Sequence, residues 1–133
     1  MFRAIKANNI SDYECLITPE DGFIKRIDTE RGYIAYDTEI FSNSDKFPYV
    51  NLSMDDETIR KNLLRRDLRG IKFSLSTGKL ICRPLTKMFN VGERIETFPE
   101  NIDISKPQEL LKKLDGSMIS AMIPDDGNLY YTT

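Results

Sequence analysis

Apolar residues recur along this chain in short runs punctuated by glycine, proline and aspartate, a pattern of strands and turns. Phe23-Ile24-Lys25-Arg26-Ile27 reads as a strand, Thr29-Glu30-Arg31-Gly32 as its turn, and Tyr33-Ile34-Ala35-Tyr36 as the strand that pairs back. A further strand is predicted over 69–75, a turn at Ser76-Thr77-Gly78, and a return over 79–83 that Pro84 ends. Near the C-terminus, Leu110 and Leu111 mark a strand, Asp115-Gly116 a hairpin turn, and residues 117–123 its partner. Pro124-Asp125-Asp126-Gly127-Asn128 is another tight turn, and residues 129–133 begin a last strand.

One stretch follows a helical period. Ile59, Leu63 and Leu64 share a face opposite Arg60, Lys61, Arg65 and Arg66, which predicts a helix near 54–67 with Ser53 as N-cap. Its basic residues gather in the last turns, where the helix dipole favours them; contact with RNA is the alternative. Residues 1–20 hold no period, Pro19-Glu20-Asp21-Gly22 is a turn, and 42–48 is a polar loop. Residues 87–93 read as a turn or a single helical turn, and 97–107 as a loop broken by Pro99 and Pro107. The fold class expected is α+β, mainly antiparallel hairpins with one main helix. A chain that stops on a strand just begun suggests a single, incomplete domain over 1–133. Its open sheet edge at 129–133 predicts self-association or marginal stability.

Composition narrows the chemistry. With 133 residues the chain builds one core, and 40% hydrophobic against 30% charged residues is an ordinary soluble balance. A net charge of −2 advertises no overall field for a polyanion, so any such site must be a local cluster. The absence of histidine removes imidazole acid–base catalysis, Ser-His triads and histidine metal sites. Cys15 and Cys82 lack metal-ligand spacing and read as free buried thiols in a reducing compartment. The first residues carry no apolar signal core and no run approaches membrane-spanning length, so a cytoplasmic location is expected.

Lys113-Leu114-Asp115-Gly116-Ser117 is the stretch richest in candidate chemistry. A lysine at the mouth of a turn between paired strands is held by stiff backbone, and it becomes a nucleophile when burial or a neighbouring cation lowers its pKa. Glycine admits a phosphate close to the main chain. The plain alternative is a hairpin turn flanked by solvated edge charges.

Three segments together resemble the phage-type ATP-dependent RNA ligase family, which seals breaks in tRNA anticodon loops. Arg69-Gly70-Ile71-Lys72-Phe73 is similar to its R-G-hydrophobic-x-F strand. The run from Arg83-Pro84 through Lys87-Met88-Phe89-Asn90 to Glu93 resembles its R-P-x-x-K-F-F-N-x-x-E segment, with Met88 in place of an aromatic. Lys113 to Ser117 resembles its K-x-D-G-S nucleotidyltransferase motif. The resemblance covers about residues 65–133 and implies the N-terminal part of an adenylyltransferase domain.

On that resemblance Lys113 attacks the α-phosphorus of ATP to form lysyl-AMP. Asp115 positions the lysine or the water shell of a metal, and Gly116 and Ser117 form the turn beneath the nucleotide. Arg69 and Lys87 hold the β- and γ-phosphates, and Phe89 packs so as to aim Lys87. ATP and Mg2+ are implied as cofactors, and RNA, tRNA included, with 5′-phosphate and 3′-hydroxyl ends as partner. The family's later motifs lie far downstream of the lysine, so this chain alone is expected not to ligate RNA. A ligase-derived remnant that binds nucleotide, RNA or protein without catalysis is the alternative. From the residues themselves, Arg69 could cap the helix, Lys87 could be a surface lysine, Asp115 a turn residue and Phe89 core.

Overall fold

Aromatic and aliphatic side chains from three parts of the chain converge on Phe73, which is fully buried. In the computed structural model, which describes residues 7–17, 20–39, 46–51, 53–107 and 109–133, the Tyr13 ring lies 5.2 Å and the Tyr36 ring 6.0 Å from that of Phe73. The first hairpin is as expected: β1 (Phe23–Asp28) pairs antiparallel with β2 (Tyr33–Thr38). β2 then pairs with β3 (Ile71–Ser74), and β3 with β4 (Leu80–Cys82), giving a four-stranded antiparallel sheet in the order β1-β2-β3-β4. Register places Ile34 opposite Phe73 and Tyr36 opposite Ile71, so alternate residues line one face. That face packs on Leu64 and Leu68 from the helical segment between β2 and β3.

The main helix, which follows the four-residue α1 (Ser11–Glu14), is α2 (Asp56–Arg65). Its N-cap is Asp55 and not Ser53: Asp55 has extended backbone, and its carboxylate accepts the Thr58 amide at 2.9 Å. The basic residues of α2 owe their place to more than the dipole. Arg60 reaches Asp12 at 2.9 Å, Arg65 reaches Asp21 at 3.2 Å, and Arg66 pairs with Glu96. These tertiary ion pairs pin α1 and two loops to the helix. The N-terminal segment, which shows no period in sequence, supplies Ala7, Tyr13 and Leu16 to the core. An Asx turn starts α1, with the Asn9 side chain accepting the Ser11 amide at 3.1 Å.

The second face of the sheet carries Tyr33 and Cys82, which pack with Ile81 and Met122. Met122 belongs to β5 (Ser120–Met122), which pairs with β6 (Tyr130–Thr132) in a separate two-stranded sheet. Asp125, in the turn between them, accepts hydrogen bonds from Ser74 and Ser76, which hold its carboxyl below the usual range and fasten the hairpin to the end of β3. The Ile123 amide donates to the Ile81 carbonyl at 3.0 Å. Two antiparallel sheets and one main helix thus form the α+β fold. Among the described residues β6 has a ladder partner on one side only.

The hairpin expected across Asp115-Gly116 is corrected. Described residues between 109 and 119 form no strand, and Ser120–Met122 pairs forward with β6 across the Pro124 turn. The physical reason is burial: Leu110 and Leu111 are 97% and 78% exposed, so nothing covers the face a strand would need. Both cysteines are free, but Cys15 is exposed and only Cys82 is buried. The expectations for residues 1–6, Pro19 and 42–45 lie outside the described residues. Among the described residues no helix is long and apolar enough to cross a membrane.

Burial pushes the Tyr13 hydroxyl well above its ordinary range, with Asp67 adding to it. Burial, then Glu14, pushes Tyr36 up to about 12. A raised folded-state pKa means that the folded chain holds these protons more tightly than the unfolded chain. Their contribution to stability is therefore complete below about pH 10 and is lost as pH rises through about 12. Alkaline titration followed by tyrosinate absorbance should show Tyr13 and Tyr36 ionising together with loss of the fold.

Candidate phosphate and nucleophile site

Phe89 is the best-organised point among the motif residues. The Lys87 ammonium nitrogen lies 5.0 Å from its ring centroid, the Arg66 guanidinium carbon 4.9 Å and the Arg94 guanidinium carbon 5.1 Å. The ring's negative faces explain why cations collect there. The Lys87 amide donates to the Arg66 carbonyl at 2.8 Å, which sets the chain beyond β4 against the end of α2. The three cations put a local positive patch on a chain of net charge −2.

Other parts of the same motifs are scaffolding. The Arg83 guanidinium donates to Asp67 at 3.0 Å and to the Ala7 carbonyl, while Asp67 also accepts the Tyr13 hydroxyl at 3.0 Å. This cluster joins the end of β4, the end of α2 and the N-terminal segment. Glu93 accepts from the Asn90 amide at 2.8 Å and from its side chain at 3.1 Å, closing the loop after Phe89. The spacing N-x-x-E is that of a turn locked by its own carboxylate. Gly70 has φ of +89°, a conformation open to glycine, and its amide donates to the Tyr36 carbonyl at 2.9 Å. That bend frees Arg69 from β3 and leaves it exposed, its amide bonded to the Asp67 carbonyl at 2.7 Å.

Lys113, Asp115, Gly116 and Ser117 are all exposed, in a segment without regular structure. Gly116 has φ of +141°, which a side chain at that position would strain. Lys112 is exposed beside Lys113, and with no strand there the two lysines are not assigned to opposite faces. No hydrogen bond, ion pair or cavity among the described residues joins Lys113 to Arg69 or Lys87. Two cavities lie on the second face of the sheet. One of about 910 Å³ is bordered by Tyr33, Met122, Asp125 and Tyr130, and one of about 560 Å³ by Arg26, Asp37, Gly70 and Lys72. None of the seven expected site residues lines either.

Sequence reasoning missed Arg66, Arg94 and Glu96. The charge of Arg66 at a helix end looked explained by the dipole, and only the fold shows it stacked on a ring 23 positions away in the chain (89 − 66). For a metal the donor set does not fit: among the described residues no group of three or more histidine, cysteine or acidic side chains could hold an ion. Phosphate oxygens suit the cations near Phe89, and the residues present give magnesium no protein-held seat.

A family model described as RNA ligase matches residues 67–133, which include all seven expected site residues, Arg66 lying one position before the match. A protein from Thermovibrio ammonificans that bears the name "Putative RNA ligase" is 48% identical over 56 residues. The aligned stretch is 42% of this chain and 14% of that protein, so the chain spans a small part of that relative's length. No solved structure matches the chain. With its R-G strand, its lysine–aromatic segment and its K-x-D-G-S run all inside the matched half, the chain belongs to the RNA ligase family.

Proposed function

We propose that this chain is the N-terminal part of an adenylyltransferase domain in which Lys113 carries AMP on the way to sealing an RNA 5′-phosphate to a 3′-hydroxyl. The observation that carries the reading is the Lys87 ammonium beside the Phe89 ring, a ring shared with Arg94 and Arg66, of which Lys87, Phe89 and Arg94 lie inside the segment that matches the ligase family. A departing pyrophosphate develops charge that a fork donor and a point charge can meet, and Arg69 and Lys87 are those two types.

In the proposed step the neutral Lys113 amine attacks the α-phosphorus of ATP. A nitrogen–phosphorus bond forms, the bond from the α-phosphorus to the bridging oxygen of the β-phosphate breaks, and pyrophosphate leaves. The amine proton passes to solvent. An oxygen of the RNA 5′-phosphate then attacks the same phosphorus, the nitrogen–phosphorus bond breaks and Lys113 regains its amine with a proton from solvent. The RNA 3′-hydroxyl attacks the RNA 5′-phosphorus, its proton passes to solvent, and AMP leaves. Gly116 lets the backbone approach the nucleotide, and Asp115 and Ser117 orient the turn. Magnesium bound with ATP would neutralise phosphate charge.

The exposure of Lys113, with no hydrogen bond or ion pair to Arg69 or Lys87 among the described residues, agrees with the expectation that these residues alone do not ligate. The test incubates the chain with α-labelled ATP and magnesium, then with a 5′-phosphorylated RNA stem-loop carrying a nick. Protein-bound label without sealed RNA supports the proposal. Robust sealing by the isolated chain contradicts the need for further segments. Absence of label, with ATP or RNA raising the melting temperature, supports the reading of a binding remnant.

The unpaired side of β6, with Leu129 and Tyr131 55% and 71% exposed, favours pairing between copies. Sedimentation should show dimers or larger species growing with concentration. A strict monomer throughout contradicts this part of the proposal.

A further inference from the structure

Arg66 follows the last residue of α2, and Lys87 lies beyond β4. Three observations couple them. The Arg66 carbonyl accepts the Lys87 amide at 2.8 Å. Both side chains meet the Phe89 ring, at 4.9 Å and 5.0 Å. The Arg66 guanidinium is fixed from its other end by an ion pair with Glu96, the two side chains being only 11% and 14% exposed.

We infer that Arg66 is a positioning residue for Lys87: held by Glu96, its guanidinium fixes the Phe89 ring on which the Lys87 ammonium rests. The inference deepens the proposed function and depends on it only for the ligand, the phosphate chain of ATP. A lysine side chain has four flexible bonds, and its charge is useful to a transferring phosphate only if its reach is defined. Lys87 makes no ion pair or hydrogen bond through its ammonium among the described residues, so the ring is its one constraint there. The ring is in turn constrained by a planar cation that is nearly buried. The Nε of Arg66 and one oxygen of Glu96 are buried without a hydrogen-bond partner among the described residues. A pair kept at that cost serves a geometric purpose better than a stabilising one. Lysine at position 66 would keep the charge and lose both the flat stacking surface and the fork toward Glu96.

The test uses the full chain as wild type, Arg66→Lys, Glu96→Gln, Lys87→Met and the double variant Arg66→Lys/Lys87→Met. Two readouts are taken: the ring-current displacement of the Lys87 ε-methylene protons by NMR, and binding of inorganic tripolyphosphate by calorimetry. Arg66→Lys is expected to lose most of the displacement while core resonances of Tyr13 and Phe73 stay in place. Its tripolyphosphate dissociation constant should rise about three- to tenfold, and the double variant should match Lys87→Met within about twofold. A purely structural role would leave the two substitutions additive. An unchanged Lys87 displacement in folded Arg66→Lys, or full additivity, overturns the inference. If Arg66→Lys does not fold, Glu96→Gln, which keeps the guanidinium but removes its anchor, carries the same two criteria. A wild-type chain that binds no tripolyphosphate contradicts the phosphate reading instead, and the resonance still decides on Arg66.

Discussion

Replacing Lys113 by alanine abolishes protein-bound adenylate, and replacing it by arginine does the same. The first removes the amine; the second keeps a cation but makes it non-nucleophilic, because arginine stays protonated at any working pH. The expected loss is complete, to the background of a chain mixed with hydrolysed ATP. Stability should not change, because Lys113 is exposed and has no hydrogen bond or ion pair among the described residues. Melting curves of the variants should overlay that of the wild type. Lys112→Ala, one position away and equally exposed, should retain label. Loss of label in Lys112→Ala with retention in Lys113→Ala would move the nucleophile by one residue and break the match to K-x-D-G-S.

Phe73→Ala has the largest effect on the fold. Phe73 is fully buried at the centre of the sheet, opposite Ile34 and against the rings of Tyr13 and Tyr36. Truncating a buried phenylalanine costs about 3–5 kcal/mol from lost transfer energy plus the cavity left behind. Natural domains hold only about 5–15 kcal/mol in total, so the loss takes a large share of the stability and, for a domain near the lower figure, nearly all of it. Where it still folds, its melting temperature should fall by roughly 10–20 °C. Phe73→Leu should lose a fraction of that, because leucine refills much of the space. The comparison by thermal melting separates packing from loss of the strand itself. Equal damage from both variants would mean that the ring contacts matter more than the filled volume.

The strands of the first sheet were legible because their apolar residues alternate and their turns carry glycine at positive φ, as Gly32 and Gly78 do. The helix was legible for the same kind of reason, its cap less so. Ser53 and Asp55 are both good capping types, and the backbone at Asp55 decides between them. The segment before Lys113 misled because Leu110 and Leu111 look like a strand, whereas strand formation needs a covered face that the described residues do not provide. Tyr13 went unplaced because its burial comes from contact with residues more than 50 positions away, as in the Tyr13–Asp67 hydrogen bond with its separation of 54.

For the site, residue types were legible and partners were not. Lys87 and Phe89 stood out through the resemblance to the family's lysine–aromatic segment, but Arg66 and Glu96 join them only in three dimensions. The partners of Arg83, Asp67 and the Ala7 carbonyl, likewise emerge only in the fold. The motif thus mixes two kinds of residue: some that build the platform and some left free to act.

The most direct measurement is mass mapping of the chain after incubation with ATP and magnesium. The account predicts a single AMP adduct on the side chain of Lys113. An adduct on any other residue of a chain that remains folded would contradict it.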